Sequence, residues 1–159
     1  MEVMTNLDEK YMQVCIELAK MALSAGDPPV GAILVHDDKI IGRGIESGRA
    51  TGDITNHAEI LAVRDAVKSG HSMLLDQAIL YTTHEPCIMC SYVIRQSKIP
   101  RVVFGVAVGE AGGYTSEFPI LKTDKIVNWS KMPQITSGVC QSDCEKLNEM
   151  FRAARMNDN

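Results

Sequence analysis

The stretch from His57 to Cys90 constrains this chain more than any other part of it. It opens with His57-Ala58-Glu59 at the head of a helical pattern, crosses the β-forming run Ala78–Thr83, and re-enters a helical pattern at Pro86-Cys87-Ile88-Met89-Cys90. With a strand between them, both helix N-termini can project at the same end of a sheet and converge. Cys87 and Cys90 stand at i and i+3, so both sulfurs reach one ion from one helix face, and the helix N-terminus favours thiolates there. His57 supplies a third donor. No fourth Cys or His partner is evident, and an open fourth position is the mark of a catalytic rather than a structural zinc site.

The remaining elements follow from periodicity and turn chemistry. Tyr11, Val14, Cys15, Leu18, Ala19 and Ala22 recur at three and four, predicting a helix over about 9–24 that stops at Gly26 before Asp27-Pro28-Pro29. Val30–Val35 and Lys39–Gly44 read as strands joined by the turn His36-Asp37-Asp38. Residues 45–56 read as a loop, and a helix begins at or just before His57 and ends at Ser69-Gly70. A third helix over Cys87–Gln96 has Pro86 in its first turn, where a missing N–H costs nothing. Arg101–Val108 reads as a strand buried on both faces, Gln134–Thr136 as a short strand, and Ser142-Asp-Cys-Glu145 as the capping box of a closing helix. This order predicts one α/β domain over 1–159, a three-layer α/β/α sandwich around a mixed sheet, with 109–131 as a mobile stretch, either a lid or a subunit contact.

Composition excludes several alternatives. The chain of 159 residues is 45% hydrophobic with a net charge of −4, too apolar and too weakly charged for general disorder. Its longest apolar runs, such as Ala32–Val35 and Val102–Val108, fall far short of the roughly 20 residues of a membrane span. The lead Met1–Lys10 is polar and lacks arginine, unlike a secretory or transit signal, so a cytoplasmic location and no membrane partner are expected. Five cysteines are an odd number, and the Cys87/Cys90 pair points to metal or redox chemistry rather than a secreted disulfide framework. Cys15, Cys140 and Cys144 read as structural.

Glu59, two residues past His57, is too close to be a second ligand on the same face but reaches back over the helix end. A carboxylate there can take a proton from a zinc-bound water and deliver it to a ring nitrogen and a leaving amine. Taken singly, Cys-x-x-Cys also suits a redox pair or half of a structural zinc site, and His-x-Glu occurs by chance. The combination resembles the cytidine deaminase superfamily, whose zinc signature joins His-x-Glu to Pro-Cys-x-x-Cys. The resemblance runs from about Tyr11 to Val108 through Pro29-Val-Gly-Ala-Ile-Leu-Val, His57-Ala-Glu-Ile, Tyr81-Thr-Thr-His-Glu-Pro-Cys-Ile-Met-Cys and Arg101-Val-Val-Phe-Gly, and weakens after Gly109. It implies one zinc per subunit on His57, Cys87 and Cys90, Glu59 as proton shuttle, a sheet of about five strands, and a homodimer or higher oligomer whose neighbouring subunit partly closes the site.

Three enzyme branches share these motifs, acting on tRNA wobble adenosine, on guanine and on cytosine. Relatives often carry Asn just after the second strand, where its amide contacts base or sugar; this chain has Glu46, an acceptor suited to N–H groups or a vicinal diol. Asn56, Ala58, His84, Glu85 and Pro86 complete the expected substrate contacts, Asn56 as a helix cap or base contact. Bases after Lys131 are only Lys146, Arg152 and Arg155, offset by Asp143, Glu145, Glu149 and Asp158, a poor phosphate track. Lys and Arg total 16 against 20 Asp and Glu. The expected function is therefore zinc-dependent hydrolytic deamination of a free aminated nucleobase, nucleoside or related heterocycle. Adenosine in tRNA is the alternative, with tRNA the weaker partner, and a catalytically silent zinc scaffold stands third.

Overall fold

The computed structural model describes residues 5–129 and 131–158. Met1–Met4 of the polar lead, Ser130 within the 109–131 stretch, and Asn159 lie outside the described residues. Five strands, β1 (Gly31–His36), β2 (Lys39–Ile45), β3 (Ile79–His84), β4 (Arg101–Val106) and β5 (Gln134–Thr136), form one sheet in the order β2-β1-β3-β4-β5. β1 pairs antiparallel with both β2 and β3, while β3, β4 and β5 run parallel. The helices are α1 (Asn6–Ser24), a single turn α2 (Gly48–Thr51), α3 (Ala58–Lys68), α4 (Ile88–Gln96) and α5 (Gln141–Asn157).

Alternation along the strands divides the interior into two cores, as a period of two requires. Ala32, Leu34, Leu80 and Val102 pack with Ala58, Ala62 and Ala66 of α3 and Ile94 of α4. Ile33, Val35, Tyr81 and Val103 pack with Tyr11, Met12, Cys15, Ile16 and Ala19 of α1 and with Cys144 and Leu147 of α5. The three-layer α/β/α sandwich with a mixed five-stranded sheet follows. On the first face α3 lies directly on β2: a β-carbon at Gly44 would collide with the Ala58 carbonyl oxygen. That contact fixes the start of α3 against the sheet. The turn between β1 and β2 places Asp37 and Asp38 at φ of 47° and 58°, the left-handed pair of a type I′ hairpin.

Several boundaries differ from the sequence reading for identifiable reasons. α1 starts at Asn6 because Thr5 and Asp8 form a reciprocal capping box. The loop 45–56 contains α2, whose first amides, Arg49 N and Ala50 N, donate to the Asp27 carboxylate at 2.8 and 3.1 Å. β4 ends at Val106, and Val108 N donates instead to Glu85. The capping box at Ser142 is absent: α5 begins at Gln141 after a left-handed Cys140, and Glu145 accepts from the Gln141 side chain. Among the described residues no helix is long and apolar enough to cross a membrane.

Asp8 also anchors α1 to the sheet. Arg101 donates to both of its carboxylate oxygens at 2.9 Å, and the Tyr81 hydroxyl donates to Oδ1 at 2.9 Å. Burial alone would raise the Asp8 carboxyl; the hydrogen bonds from Arg101, Thr5 and Tyr81 reverse this and lower it below the usual carboxylate value. Asp8→Asn leaves the half-buried Arg101 facing a neutral partner, and should cost about 1.5–3 kcal/mol in urea unfolding. In the parent, the stabilisation that the lowered Asp8 carboxyl contributes should be complete above about pH 5 and be lost as pH falls through the lowered Asp8 value, a loss the Asn variant should not show.

Candidate active site

The three predicted metal donors meet at one end of the sheet. His57 and Cys87 occupy the N-cap positions of α3 and α4, and Cys90 lies one turn into α4. His57 Nδ1 is 3.5 Å from each of the two sulfurs, and all three donor atoms lie within 4.8 Å of one another. A tetrahedral zinc with bonds of about 2.05 Å to nitrogen and 2.3 Å to sulfur separates those atoms by about 3.6 Å, so the donors fit that ion. Hydrogen bonding from Cys90, and then from His57, pulls the Cys87 thiol down to about 4, and the same Cys87–Cys90 hydrogen bond pushes Cys90 up. Its hydrogen bond to Cys87 raises His57 to about 9.

Glu59 stands beside the donors. Its side chain is buried, its Oε2 accepts from Cys90 Sγ at 3.5 Å, and its Oε1 accepts from Thr82 Oγ1 at 3.0 Å. Burial lifts the carboxyl to about 7, the range in which a group both takes and gives protons at neutral pH. Thr82 is missing from the sequence reading. The signal for it was the alternation of β3, which places Thr82 on the same face as Leu80, toward α3.

A cavity of about 210 Å³ opens on this group, lined by His57, Glu59 and Cys87 together with Pro28, Val30, Glu46, His84, Glu85 and Val108. It is smaller than the roughly 300–1,000 Å³ of drug-sized ligand pockets, and suits one planar ring. Glu46 is buried, and its oxygens accept from Gly48 N at 3.4 Å and Ala58 N at 3.3 Å. Burial raises its carboxyl. His84 is pinned on both sides, by Thr83 Oγ1 at Nδ1 (3.2 Å) and by Asn148 Oδ1 of α5 at Nε2 (2.8 Å). Burial pulls it down to about 4, so the ring is neutral at pH 7 and Nε2–H donates to Asn148.

The other expected contacts fall differently. Asn56 is outside the cavity lining, with its amide engaged by Thr51 Oγ1 and Arg64 and with no cap on α3. Ala58 is fully buried with its N–H on Glu46. The Pro86 carbonyl accepts from Gly113 N and Ser91 Oγ. Glu85 lines the cavity, but both of its oxygens are hydrogen-bonded to the segment 108–115.

Residues 5–106 match the family described as the cytidine and deoxycytidylate deaminase zinc-binding region, and the chain belongs to that family. Among its relatives, a tRNA-specific adenosine deaminase of Haemophilus influenzae is 42% identical over 112 residues, 70% of this chain and 65% of that protein, so the match spans a little under two thirds of the relative. Another tRNA-specific adenosine deaminase, from Aquifex aeolicus, is 39% identical over 105 residues, 66% of this chain and 70% of its own. A structure from work on A-to-I editing by tRNA:A34 deaminases at the wobble position superposes with a TM-score of 0.79 at 29% identity, covering 87% of this chain and 98% of that one. Guanine deaminase from Bacillus subtilis is similar at a TM-score of 0.59 and 34% identity, over 65% of this chain and 66% of that one.

These relatives correct two expectations, the free base or nucleoside as substrate and tRNA as the weaker partner. The charge argument behind both summed bases along the last helix. Folding makes other neighbours: Arg49 of α2 and Arg155 of α5 line one surface cleft with Met156 and Asp158. A count along the chain does not contain that pairing.

Titrating zinc into the protein in weak buffer should release protons, because bound thiols must ionise. Cys87→Ser and Cys90→Ser should each weaken zinc binding by more than the roughly 10–100-fold typical of losing an outer-shell partner. Zinc held at parental affinity by either variant would remove that sulfur from the ligand set.

Proposed function

We propose that this protein is a zinc-dependent deaminase that converts adenosine to inosine within tRNA. The observation that carries the chemistry is the buried Glu59 carboxylate, 3.5 Å from a sulfur of the His57, Cys87 and Cys90 group, in a cavity the size of one base. The names of the relatives at about 40% identity support the substrate. A tRNA base reaches such a cavity only when it leaves its stack, and an enclosed pocket on an extruded base is how deaminases of nucleic acids reach their target atom. Arg49 and Arg155, which line one surface cleft with Asp158, are cations available to a phosphate backbone.

Zinc, held by His57, Cys87 and Cys90, supplies Lewis acidity that brings the pKa of a coordinated water to about 7. The protein's own groups move the protons. Glu59 accepts one proton from the attacking water and passes it to N1 of the ring as the C6–O bond forms; it then takes the second proton from the new C6 hydroxyl and delivers it to the exocyclic amine as the C6–N bond breaks and the C6 carbonyl forms, so that water and adenosine become inosine and ammonia. Thr82 holds Glu59 Oε1 and aims the other oxygen at the donors. Glu46, His57 and Val30 bound the ring's place, and neutral His84 forms a wall braced from α5.

The five free cysteines support a cytoplasmic location. The exposed apolar side chains Ile88 and Tyr92 of α4, with Phe118, Ile126, Val127 and Met132, support a homodimer formed over that side.

An anticodon stem-loop bearing adenosine should yield inosine and ammonia with the zinc-loaded protein, with turnover falling steeply as salt rises. Glu59→Gln should keep zinc and lose at least about 100-fold in kcat; parental turnover would defeat the role of Glu59. Thr82→Val should keep zinc and lose about 10-fold or more in kcat, since it removes only the hydroxyl that orients the shuttle.

A further inference from the structure

We propose that Glu85 is a positioning residue that clamps the segment 108–115 across Cys87 and so builds a fixed wall of the cavity, without touching the base. The proposal rests on the deaminase reading above. A carboxylate offers about four lone-pair sites, and four donors fill those of Glu85. Val108 N reaches Oε1 at 3.2 Å and Thr115 Oγ1 reaches it at 2.6 Å. Tyr114 N and Thr115 N reach Oε2 at 2.9 and 2.8 Å. Nothing is left over for a substrate N–H, although the side chain lines the cavity and is only 2% exposed.

The clamped segment is tied to the metal-ligating turn on both sides of Cys87. Gly113 N donates to the Pro86 carbonyl at 2.8 Å, and Ile88 N donates to the Ala111 carbonyl at 3.0 Å, with Gly112 bridged to Cys87 itself. Ile88 is the first residue of α4, so the Ala111 carbonyl satisfies a helix-terminal amide that has no partner within the helix. Two glycines make the approach possible. A β-carbon at Gly112 would collide with the Glu85 carboxylate, and one at Gly113 with Ser91 Oγ. The segment also carries Val108 to the cavity's rim. This part of the 109–131 stretch is therefore a wall built on Glu85, and a lid here would have to break all four carboxylate hydrogen bonds to open.

Glu85→Gln removes the charge and replaces one acceptor oxygen with a donor while keeping the shape. In the zinc-loaded protein, amide hydrogen exchange at 108, 114 and 115 should accelerate at least about 10-fold. KM for the stem-loop should rise about 10-fold, with kcat within about threefold of the parent and zinc content unchanged, because Glu59 and the ligands keep their places. Should that variant fail to fold, Thr115→Val removes a single hydroxyl from the clamp and should speed exchange at 114 and 115 and raise KM about threefold. Parental protection at these amides, or a parental KM beside lost protection, would overturn the proposal. If the parent itself does not deaminate RNA, the substrate reading fails and the exchange measurement alone decides the clamp.

Discussion

Everything at this site depends on two helix N-termini being held side by side at one end of the sheet. His57 and Cys87 are the N-caps of α3 and α4, so an error in the seating of either helix moves a ligand directly. α3 is seated by backbone contact, since Gly44 lets the Ala58 carbonyl rest on β2 and the small residues Ala58, Ala62 and Ala66 continue that approach. α4 is seated by the parallel crossover from β3 to β4 and by the loop carbonyl on its first amide. Close packing makes the placement of α3 stiff, because its contact with β2 has no side-chain length to give.

The same end of the molecule concentrates buried carboxylates, and each is stabilised differently. Asp27 and Glu46 accept backbone amides at the starts of α2 and α3, where helix dipoles favour negative charge. Glu85 is saturated by one loop, and Glu59 accepts from the Thr82 hydroxyl and the Cys90 thiol. Burying a charge is costly unless it is paired or hydrogen-bonded. Burial, the largest influence on Glu59, pushes this one acid to about 7 beside the metal donors.

Much of the fold was legible in the chain because periodicity is a local property. The helix ending before Gly26, the I′ hairpin at Asp37-Asp38, the α3 start at His57 and the short β5 all lie where alternation and turn chemistry put them. The metal donors were legible for the same reason, since an i, i+3 cysteine pair is local and a strand between two helices limits where their N-termini can go. The failures are non-local or arise from competition. The closing helix ignores its Ser142 capping box because a left-handed Cys140 starts it two residues earlier, and β4 stops short because Glu85 takes the amide of Val108. Thr82, Asn148 and Asp27 carry no motif; they matter only through partners in distant segments. The preference for a free base is overturned by the relatives and by no motif of the chain, since charge counted along one helix says nothing of which cations share a cleft after folding, as Arg49 and Arg155 do.

The sequence by itself determined the element order, the three metal donors and the neighbouring acid, because each follows from spacings of a few residues and from the ligand chemistry of thiolate and imidazole. Only the tertiary structure decided which polar groups line the cavity and which are spent on other parts of the chain. Glu46, Glu85, His84 and Asn56 are equally plausible contacts on paper, yet one carboxylate is saturated by a loop, one histidine is braced by α5, and one amide is engaged beside α3. The physical reason is that hydrogen-bond capacity is finite, and which donors claim it depends on segments that meet only after the chain has folded.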